Sequence, residues 1–495
     1  MEYEEILHHI LKLLVGRVAT PQSMNAHSPF TSWGITSLVL TDLLAAVKRQ
    51  IGLDFHVAEA FSCRTPSQLA QWLCRCHRPE VAVSAAMGGR PESDLDPAQR
   101  AVAVIGASCR FPGLKDPQEN GLEAFWNTLA RGYDPIGPIP PERWDTELEK
   151  DAGRVSTFGG FLEAIDLFDA PFFHISPREA AAMDPQQRIA LELCHHALEH
   201  AGITLTRLGG TATGVFWGVG DSEYGRLLLD TDAPQDMYAF TGAASSLIPG
   251  RIAYHLDVHG PCLGVDTASS GALHAVHLAV QSLRSGACRL ALAGSLNLII
   301  APEKHRMMSR AGVMAADGRC KTFDAAADGY VRAEGGGVLV LKTLDDALRD
   351  GDRILGVIRG TGVTHDGRSN GLTSPNGEAQ ARMLRLALRD AGLAPDDVDY
   401  IECHGTGTYV GDPVEVRAIA SVFQGRDPVR PLLLGSAKSN IGHLEQAAGM
   451  AGILKVVLAF AHEALPANLH FTQENPLLDL ASIPARVVSQ PLPWK

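Results

Sequence analysis

The stretch Val265-Asp266-Thr267-Ala268-Ser269-Ser270-Gly271-Ala272-Leu273 decides how the chain is read. Apolar residues lead into it, small residues make a tight turn, and a helical pattern from Leu273 to Arg284 leaves it. A hydroxyl at such a strand-to-helix turn sits where free backbone N–H groups and the helix dipole favour negative charge. A nucleophile and its oxyanion site fit there. The plainer reading is that Ser269 or Ser270 caps a buried helix, and the turn alone leaves both readings open.

Two other stretches share the texture of that turn. Glu402-Cys403-His404-Gly405-Thr406-Gly407-Thr408 follows an apolar strand pattern, Val398 to Ile401, and Lys438-Ser439-Asn440-Ile441-Gly442-His443-Leu444-Glu445 follows another, Leu432 to Gly435. In open α/β sheets, ligands bind where loops leave the carboxyl ends of strands. A lone histidine after a strand is usually a hydrogen-bonded structural residue; two, with a Ser turn and a Lys, point to a shared site. Neutral imidazoles donate N–H bonds to a carbonyl oxygen or move a proton near neutral pH, and such donors stabilise an enolate. Thr406 and Thr408, on alternating positions, suit an amide-bearing arm, and Lys438 suits a role in charge balance or in orienting Asn440 and Glu445. The chemistry indicated is acyl or carbon–carbon bond chemistry through a thioester or ester.

Around these loops the pattern is α/β. Val102 to Gly106, Val215 to Val219, Leu290 to Gly294, Gly337 to Leu341, Ile354 to Arg359 and Leu432 to Gly435 read as strands, with long helical runs from Met183 to Gly202 and Ala447 to His462. Continuous apolar strands alternating with helices imply sheets covered on both faces. The 495 residues, 45% apolar and 20% charged, are ample for a large core. A net charge of −13 argues against a nucleic-acid footprint. No run is apolar enough for a membrane span, and the acidic start Met1-Glu2-Tyr3-Glu4-Glu5 is not a secretory signal. Nine scattered cysteines read as reduced thiols, so the expected compartment is the cytoplasm. Cys74-Arg75-Cys76-His77 is the only metal-like cluster, no second half answers it, and no metal is expected.

Ahead of the α/β region lies a small helical unit. Ile6, Ile10, Leu13 and Leu14 recur at helical spacing, Leu38, Leu40, Leu43, Leu44 and Val47 stripe a second helix, and Leu69, Trp72 and Leu73 a third. Residues 78–100, rich in Pro, Gly, Ala and charge, read as a flexible linker with an r.m.s. span on the order of 25 Å. Gly34-Ile35-Thr36-Ser37-Leu38 opens the second helix. With that motif the unit resembles an acyl carrier protein, although Thr36 stands where the family has Asp. The resemblance implies that Ser37 carries a covalent 4'-phosphopantetheine arm.

Residues 101–495 resemble the ketosynthase (β-ketoacyl synthase) domain of modular polyketide synthases, in the thiolase-like family. The resemblance is carried by Met183-Asp184-Pro185-Gln186-Gln187-Arg188, Gly250-Arg251-Ile252-Ala253-Tyr254, Arg319-Cys320-Lys321-Thr322-Phe323-Asp324, Asp366-Gly367-Arg368-Ser369-Asn370-Gly371, His404 to Thr408 and Asn440 to His443. It implies a five-layered αβαβα fold behind a small all-α carrier, with domains at 1–77 and 101–495 and a homodimer built through the ketosynthase. It implies acyl transfer from a carrier thioester to the site at Ser269, then decarboxylative Claisen condensation with a malonyl-type extender. His404 and His443 would assist decarboxylation and hold the thioester oxygen, Lys438 would support them, and Thr406, Thr408, Asn440 and Glu445 would bind substrate. Partners would be acyl carrier proteins, acyl and malonyl thioesters and downstream synthase modules.

Two departures shape the expectation. Where the family has a nucleophilic Cys this sequence has Ser269. A helix dipole contributes at most about 2 kcal/mol, enough to help a thiol whose unperturbed pKa is near 8.5 but not an alcohol, which needs a general base. The expected activity is therefore impaired or trapped, the alternatives being a non-extending decarboxylase or acyl shuttle and a silent carrier-docking module. The second departure is that the family's Gly-Phe-Gly-Gly-Thr-Asn-like final segment does not follow Pro491-Leu492-Pro493-Trp494-Lys495.

Overall fold

A computed structural model describes residues 3–15, 25–33, 35, 37–51, 60, 63–76, 101–113, 121–146, 155–231, 235–478, 480 and 483–494. The 78–100 linker, Gly34, Thr36 and His77 lie outside these residues.

The N-terminal unit packs α1 (Tyr3–Val15), α2 (Ser37–Ile51) and α3 (Pro66–Cys76) around Ile6, Ile10, Leu14, Leu40, Leu43, Leu44, Val47, Leu69 and Leu73. Their spacing of three and four residues puts one apolar stripe per helix into a common core. Tyr3 and Ser67 hydroxyls meet at 2.8 Å and tie α1 to α3.

The larger unit is built on a six-stranded sheet, ordered β5 (Cys262–Val265), β4 (Thr213–Gly218), β6 (Leu290–Asn297), β7 (Gly335–Thr343), β1 (Val102–Arg110) and β8 (Gly356–Ile358). β4 runs parallel to β5 and β6, whereas β7 is antiparallel to β6 and β1, and β8 is antiparallel to β1. Both faces are apolar because side chains alternate along a strand. Phe216, Ala291, Ala293, Leu339 and Leu341 face one core, and Val215, Trp217, Leu290, Leu292, Val338 and Val340 face the other. In β1 the register shifts between Val104 and Gly106. That bulge changes the parity, so Val102 and Val104 share a face with Ala107 and Cys109.

On the outer face lie α5 (Pro185–His200) and α6 (Leu247–Leu256). On the inner face lie α4 (Leu122–Ala130), α7 (Gly271–Arg284) and α11 (Ala448–Ala461). A second sheet, all parallel, orders β12 (Ala485–Val487), β10 (Leu432–Gly435) and β9 (Tyr400–Glu402). Its Tyr400 and Leu433 pack against the inner core, and Leu432, Leu434 and Val487 pack on the far side against α9 (Gly411–Val422), with Leu384 and Leu388 of α8 (Gly377–Ala391) beside them. The layers run helix, sheet, helix, sheet, helix. Minor pairs join β2 (Gly137–Pro138) to β3 (Phe158–Gly159) and β11 (Ala464–Leu465) to β13 (Leu492–Pro493). Among the described residues no helix is long and apolar enough to cross a membrane.

Candidate active site

The turn after β5 is shaped by backbone constraint. Asp266 Oδ1 accepts the Ala268 N–H at 3.1 Å, and Ala268 is held at φ +50°. A left-handed non-Gly residue persists only where its surroundings dictate it, and such residues cluster at functional sites. The chain then makes one 3-10 turn, Ala268–Ser270, and enters α7 at Gly271. A Cβ on Gly218, at the end of β4, would stand 2.6 Å from the Gly271 carbonyl carbon, so helix start and strand end touch backbone to backbone.

The capping reading of the turn does not hold. Thr267 and Ser270 occupy the N-cap positions, and neither makes a side-chain cap bond. The Ser270 hydroxyl donates to Thr267 O at 2.8 Å. Ser269 Oγ instead lies 3.3 Å from His443 Nε2.

His443 sits just beyond the short helix α10 (Lys438–Ile441). Its backbone is clamped on both sides, N–H to Val331 O at 2.8 Å and carbonyl from the Ala333 N–H at 2.9 Å. The Glu445 N–H donates to His443 Nδ1 at 2.8 Å. A ring nitrogen that accepts carries no proton, so in the neutral ring Nε2 bears the hydrogen. Burial first, then the charges of Lys438 and Arg332, push the imidazole pKa well below its usual value. His443 is thus a neutral donor aimed at Ser269, and it cannot also serve as the base for that hydroxyl.

His404 follows β9, and Cys403 extends the strand by donating its N–H to Gly435 O at 2.8 Å. Glu415 on α9 accepts the His404 and Gly405 N–H groups at 2.6 and 2.8 Å, one on each carboxylate oxygen. Three residues earlier, Asp412 accepts the Gly407 N–H at 3.1 Å and the Phe323 N–H at 2.8 Å. At Gly405, φ is +43° and a Cβ would meet Thr322 Cγ2 at 2.6 Å, so glycine is needed on both counts. The His404 and His443 rings stand 5.5 Å apart, nearly perpendicular. His404 is exposed because its ring forms part of a cavity wall. The protein packed around that wall, together with Lys438 and His443, still drives its pKa well below the usual value.

Lys438 is buried, and burial lowers its pKa against the pull of Glu402, Glu415, Cys320 and Asp412. A cavity of about 1510 Å³ is lined by Ser269, His404, Lys438, Glu415, Glu402 and Leu273, among others. The structure therefore gathers Ser269, His404, His443 and Lys438 from three loops far apart in sequence.

The remaining candidates lie differently. Thr406 and Thr408 bond each other, Oγ1 to Oγ1, at 3.0 Å, and neither lines this cavity. Asn440 is buried, its amide donating to Tyr133 O at 3.3 Å. Glu445 is committed to an ion cluster, with Oε1 on Arg332 Nε and Oε2 on Lys304 Nζ, each at 2.5 Å. Arg332 Nη2 also lies 3.5 Å from Glu223 Oε1. Burial pushes the Glu445 pKa up, and the two cations more than reverse it. Its backbone, rather than its carboxylate, touches the site. Ser37 is the first residue of α2, whose first turn holds no acidic residue. A phosphodiester there meets the positive end of a helix whose own first turn carries no carboxylate, so the residues present fit a phosphopantetheine attachment.

The reading of Ser269 as a serine replacing the family's cysteine, with impaired or trapped activity, is corrected by Cys109. This buried cysteine stands near the C-terminal end of β1. The domain thus holds a thiol that a reading centred on the turn leaves out, and no impairment is inferred from the oxygen at 269. The non-extending and silent-docking alternatives depended on that impairment and are withdrawn with it. Burial pushes the Cys109 thiol far above its usual range, so it is neutral in this state.

The sequence reading missed Glu402, Asp412, Glu415, Arg332 and Lys304. Asp412 and Glu415 had a legible signal: two carboxylates three residues apart, on one helix face, directly after the Gly-rich loop. Arg332 and Lys304 had none, because their partner Glu445 is more than a hundred residues away.

Comparison with known proteins agrees with this architecture. Residues 99–347 match the family described as beta-ketoacyl synthase, N-terminal domain, residues 355–472 its C-terminal domain, and residues 5–73 a phosphopantetheine attachment site. The chain is 42% identical to a phenolphthiocerol/phthiocerol polyketide synthase polypeptide of Mycobacterium bovis over 99% of its length, covering 26% of that protein. It is 50% identical to another polypeptide of the phenolphthiocerol/phthiocerol polyketide synthase, from Mycobacterium tuberculosis, over 79% of its length, again covering 26%. The chain thus spans about a quarter of the length of these relatives. Among solved structures, the oxazolomycin ketosynthase domain of Streptomyces albus superposes with a TM-score of 0.74 at 38% identity, over 80% of this chain and 70% of that one. A ketosynthase of the Bacillus subtilis bacillaene synthase gives the same score and identity over 80% and 67%.

Proposed function

The chain belongs to the β-ketoacyl synthase family, and we propose that it extends carrier-bound acyl chains by decarboxylative Claisen condensation, with residues 1–77 as a carrier and 101–495 as the condensing domain. The observation that carries this reading is the pair of neutral imidazoles beside Ser269: His404 stands on the cavity wall with Ser269, and His443 lies against both.

Ser37 is the attachment point for 4'-phosphopantetheine, which supplies a thiol that holds acyl groups as thioesters. At the other site, acylation breaks the incoming C–S bond and forms a bond to a nucleophile of the condensing domain, whose proton leaves with the thiol. A malonyl-type thioester then enters, its carbonyl oxygen accepting from His443 Nε2–H and from His404. Loss of carbon dioxide leaves the C–C electron pair as an enolate, whose charge rests on that oxygen. Preorganised neutral N–H donors serve this better than water does. The enolate carbon attacks the acyl carbonyl, the bond from the acyl group to that nucleophile breaks, and the nucleophile recovers a proton. The test is to load the protein with an acyl thioester, map the acylated peptide by mass spectrometry, and then add malonyl carrier and measure carbon dioxide and ketoacyl product. An acylated protein that yields both products is expected, the map showing which residue carries the acyl group. No ketoacyl product from the acylated protein would overturn the condensation reading.

The proposed partners are carriers, their acyl and malonyl thioesters, downstream synthase modules and a second copy of this chain. Support for the homodimer comes from β5, an edge strand whose Cys262 and Leu263 are exposed. An open edge is a template for strand pairing, and antiparallel β5–β5 pairing closes a two-fold. Leu263→Lys should shift the sedimenting species to a monomer. Cys109, Cys194, Cys262, Cys288, Cys320 and Cys403 are free thiols, which supports a cytoplasmic location.

A further inference from the structure

Behind the histidine pair lies a second ionic cluster that the proposed reaction does not use. Glu402, the last residue of β9, spreads its carboxylate over three elements. Oε1 accepts the Ala437 N–H at 2.5 Å, and Oε2 accepts the Tyr400 hydroxyl at 2.5 Å and Lys455 Nζ of α11 at 2.8 Å. Lys455 is fully buried, and its ammonium lies 5.7 Å from the centre of the Tyr400 ring. Two glycines make room. A Cβ on Gly435 would stand 2.5 Å from Tyr400 Oη, and one on Gly452 3.1 Å from Glu402 Cγ.

A largely buried carboxylate bridging β9, α10 and α11 is costly unless it is fully paired. A neutral side chain would pack the same space at lower cost, so its charge calls for an account. Ala437 is the N-cap of α10, and Lys438 is the next residue. Glu402 therefore holds the start of the helix that carries Lys438, and it lines the same cavity as Lys438 and His404. It stands two residues before His404 in the chain.

On these grounds, and resting on the condensing function proposed above, we propose that Glu402 is a positioning residue for the active site: held by Lys455 and Tyr400, it fixes Lys438 and keeps it charged beside the two histidines.

The other charged or titratable groups acting on Lys438 are Glu415 and Asp412 of α9 and Cys320 of the loop after Arg319. Glu402 is the largest of the electrostatic influences that favour the ammonium. The ammonium in turn lowers the pKa of His404 and of His443. The sign follows: with Glu402 neutralised, Lys438 loses its proton at a lower pH.

The test uses the full chain with histidine-selective 15N labelling, in Glu402→Gln and Glu402→Asp. Glutamine keeps an acceptor for the Ala437 N–H and removes the charge; aspartate keeps the charge. The ring shifts of His404 and His443 are followed to alkaline pH, where they record Lys438 losing its proton, alongside the pH profile of carbon dioxide release from a malonyl thioester. The expected result is an alkaline inflection about one pH unit lower in Glu402→Gln, restored toward wild type in Glu402→Asp. An unmoved inflection in a folded Glu402→Gln protein would overturn the proposal and leave Glu402 a purely structural tie. If the wild type releases no carbon dioxide, the functional reading falls, while the ring titration still decides the role of Glu402.

Discussion

His404 and His443 reach the same neutral state by different routes. The loop of His404 is pinned from outside the ring: Glu415 and Asp412 hold backbone N–H groups of residues 404, 405 and 407, and the ring itself faces the cavity. His443 is pinned through the ring, since the Glu445 N–H fixes Nδ1, and Glu445 is anchored by the buried Arg332 and by Lys304. One histidine has a held loop and an unassigned tautomer; the other has a held tautomer. In the proposed reaction the contrast would give His443 directed donation and leave His404 able to adapt to the substrate.

That contrast can be broken at its strongest point first. Arg332→Met removes the partner of two buried carboxylates, Glu445 and Glu223, and should cost about 3–5 kcal/mol in urea unfolding. His443→Ala should lower carbon dioxide release from a malonyl thioester by about 10²–10³-fold, the usual cost of one preorganised oxyanion donor. A loss below tenfold in single-turnover assays would mean that His404 suffices alone. Glu415→Ala strands two N–H groups beside His404 and should destabilise by about 1–3 kcal/mol, with KM affected more than in any variant of the His443 clamp.

The smallest effect is on pH. Both imidazoles have folded pKa values below the unfolded value of about 6.5, so they stay neutral as pH falls through that point, while the unfolded chain takes up protons. Stability should therefore decline below about pH 6.5, yet the acid limb of activity should lie lower still. Lys438→Met removes a cation that depresses both histidines, so that acid limb should move to higher pH. A limb that stays put would assign the neutrality of the pair to burial alone.

Much of this was legible in the chain. The strand runs from Val102, Val215 and Leu290 read as buried because they are buried on both faces, and the helical stripes Ile6–Ile10–Leu14 and Leu40–Leu43–Leu44–Val47 form the core of the carrier. Ser269, His404, Lys438 and His443 were all singled out because each follows an apolar strand in a loop of small residues. The roles of Glu445 and Asn440 were not legible. Both stand in the same polar run as His443, and only their contacts show that one anchors an ion cluster and the other a backbone carbonyl. The bulge that puts Cys109 on the inner face of β1 leaves no mark in the residue pattern either.

The sequence by itself determined the architecture and pointed to the loops that hold Ser269, His404, Lys438 and His443, because periodicity and local turn chemistry are short-range properties of the chain. Which nitrogen of His443 carries the proton, which carboxylates are structural, and what Ser269 faces were decided only by the tertiary structure. Each depends on groups separated by tens to hundreds of residues, such as Ser269 with His443 and Arg332 with Glu445. In a buried site of low dielectric, those neighbours settle the protonation of every group.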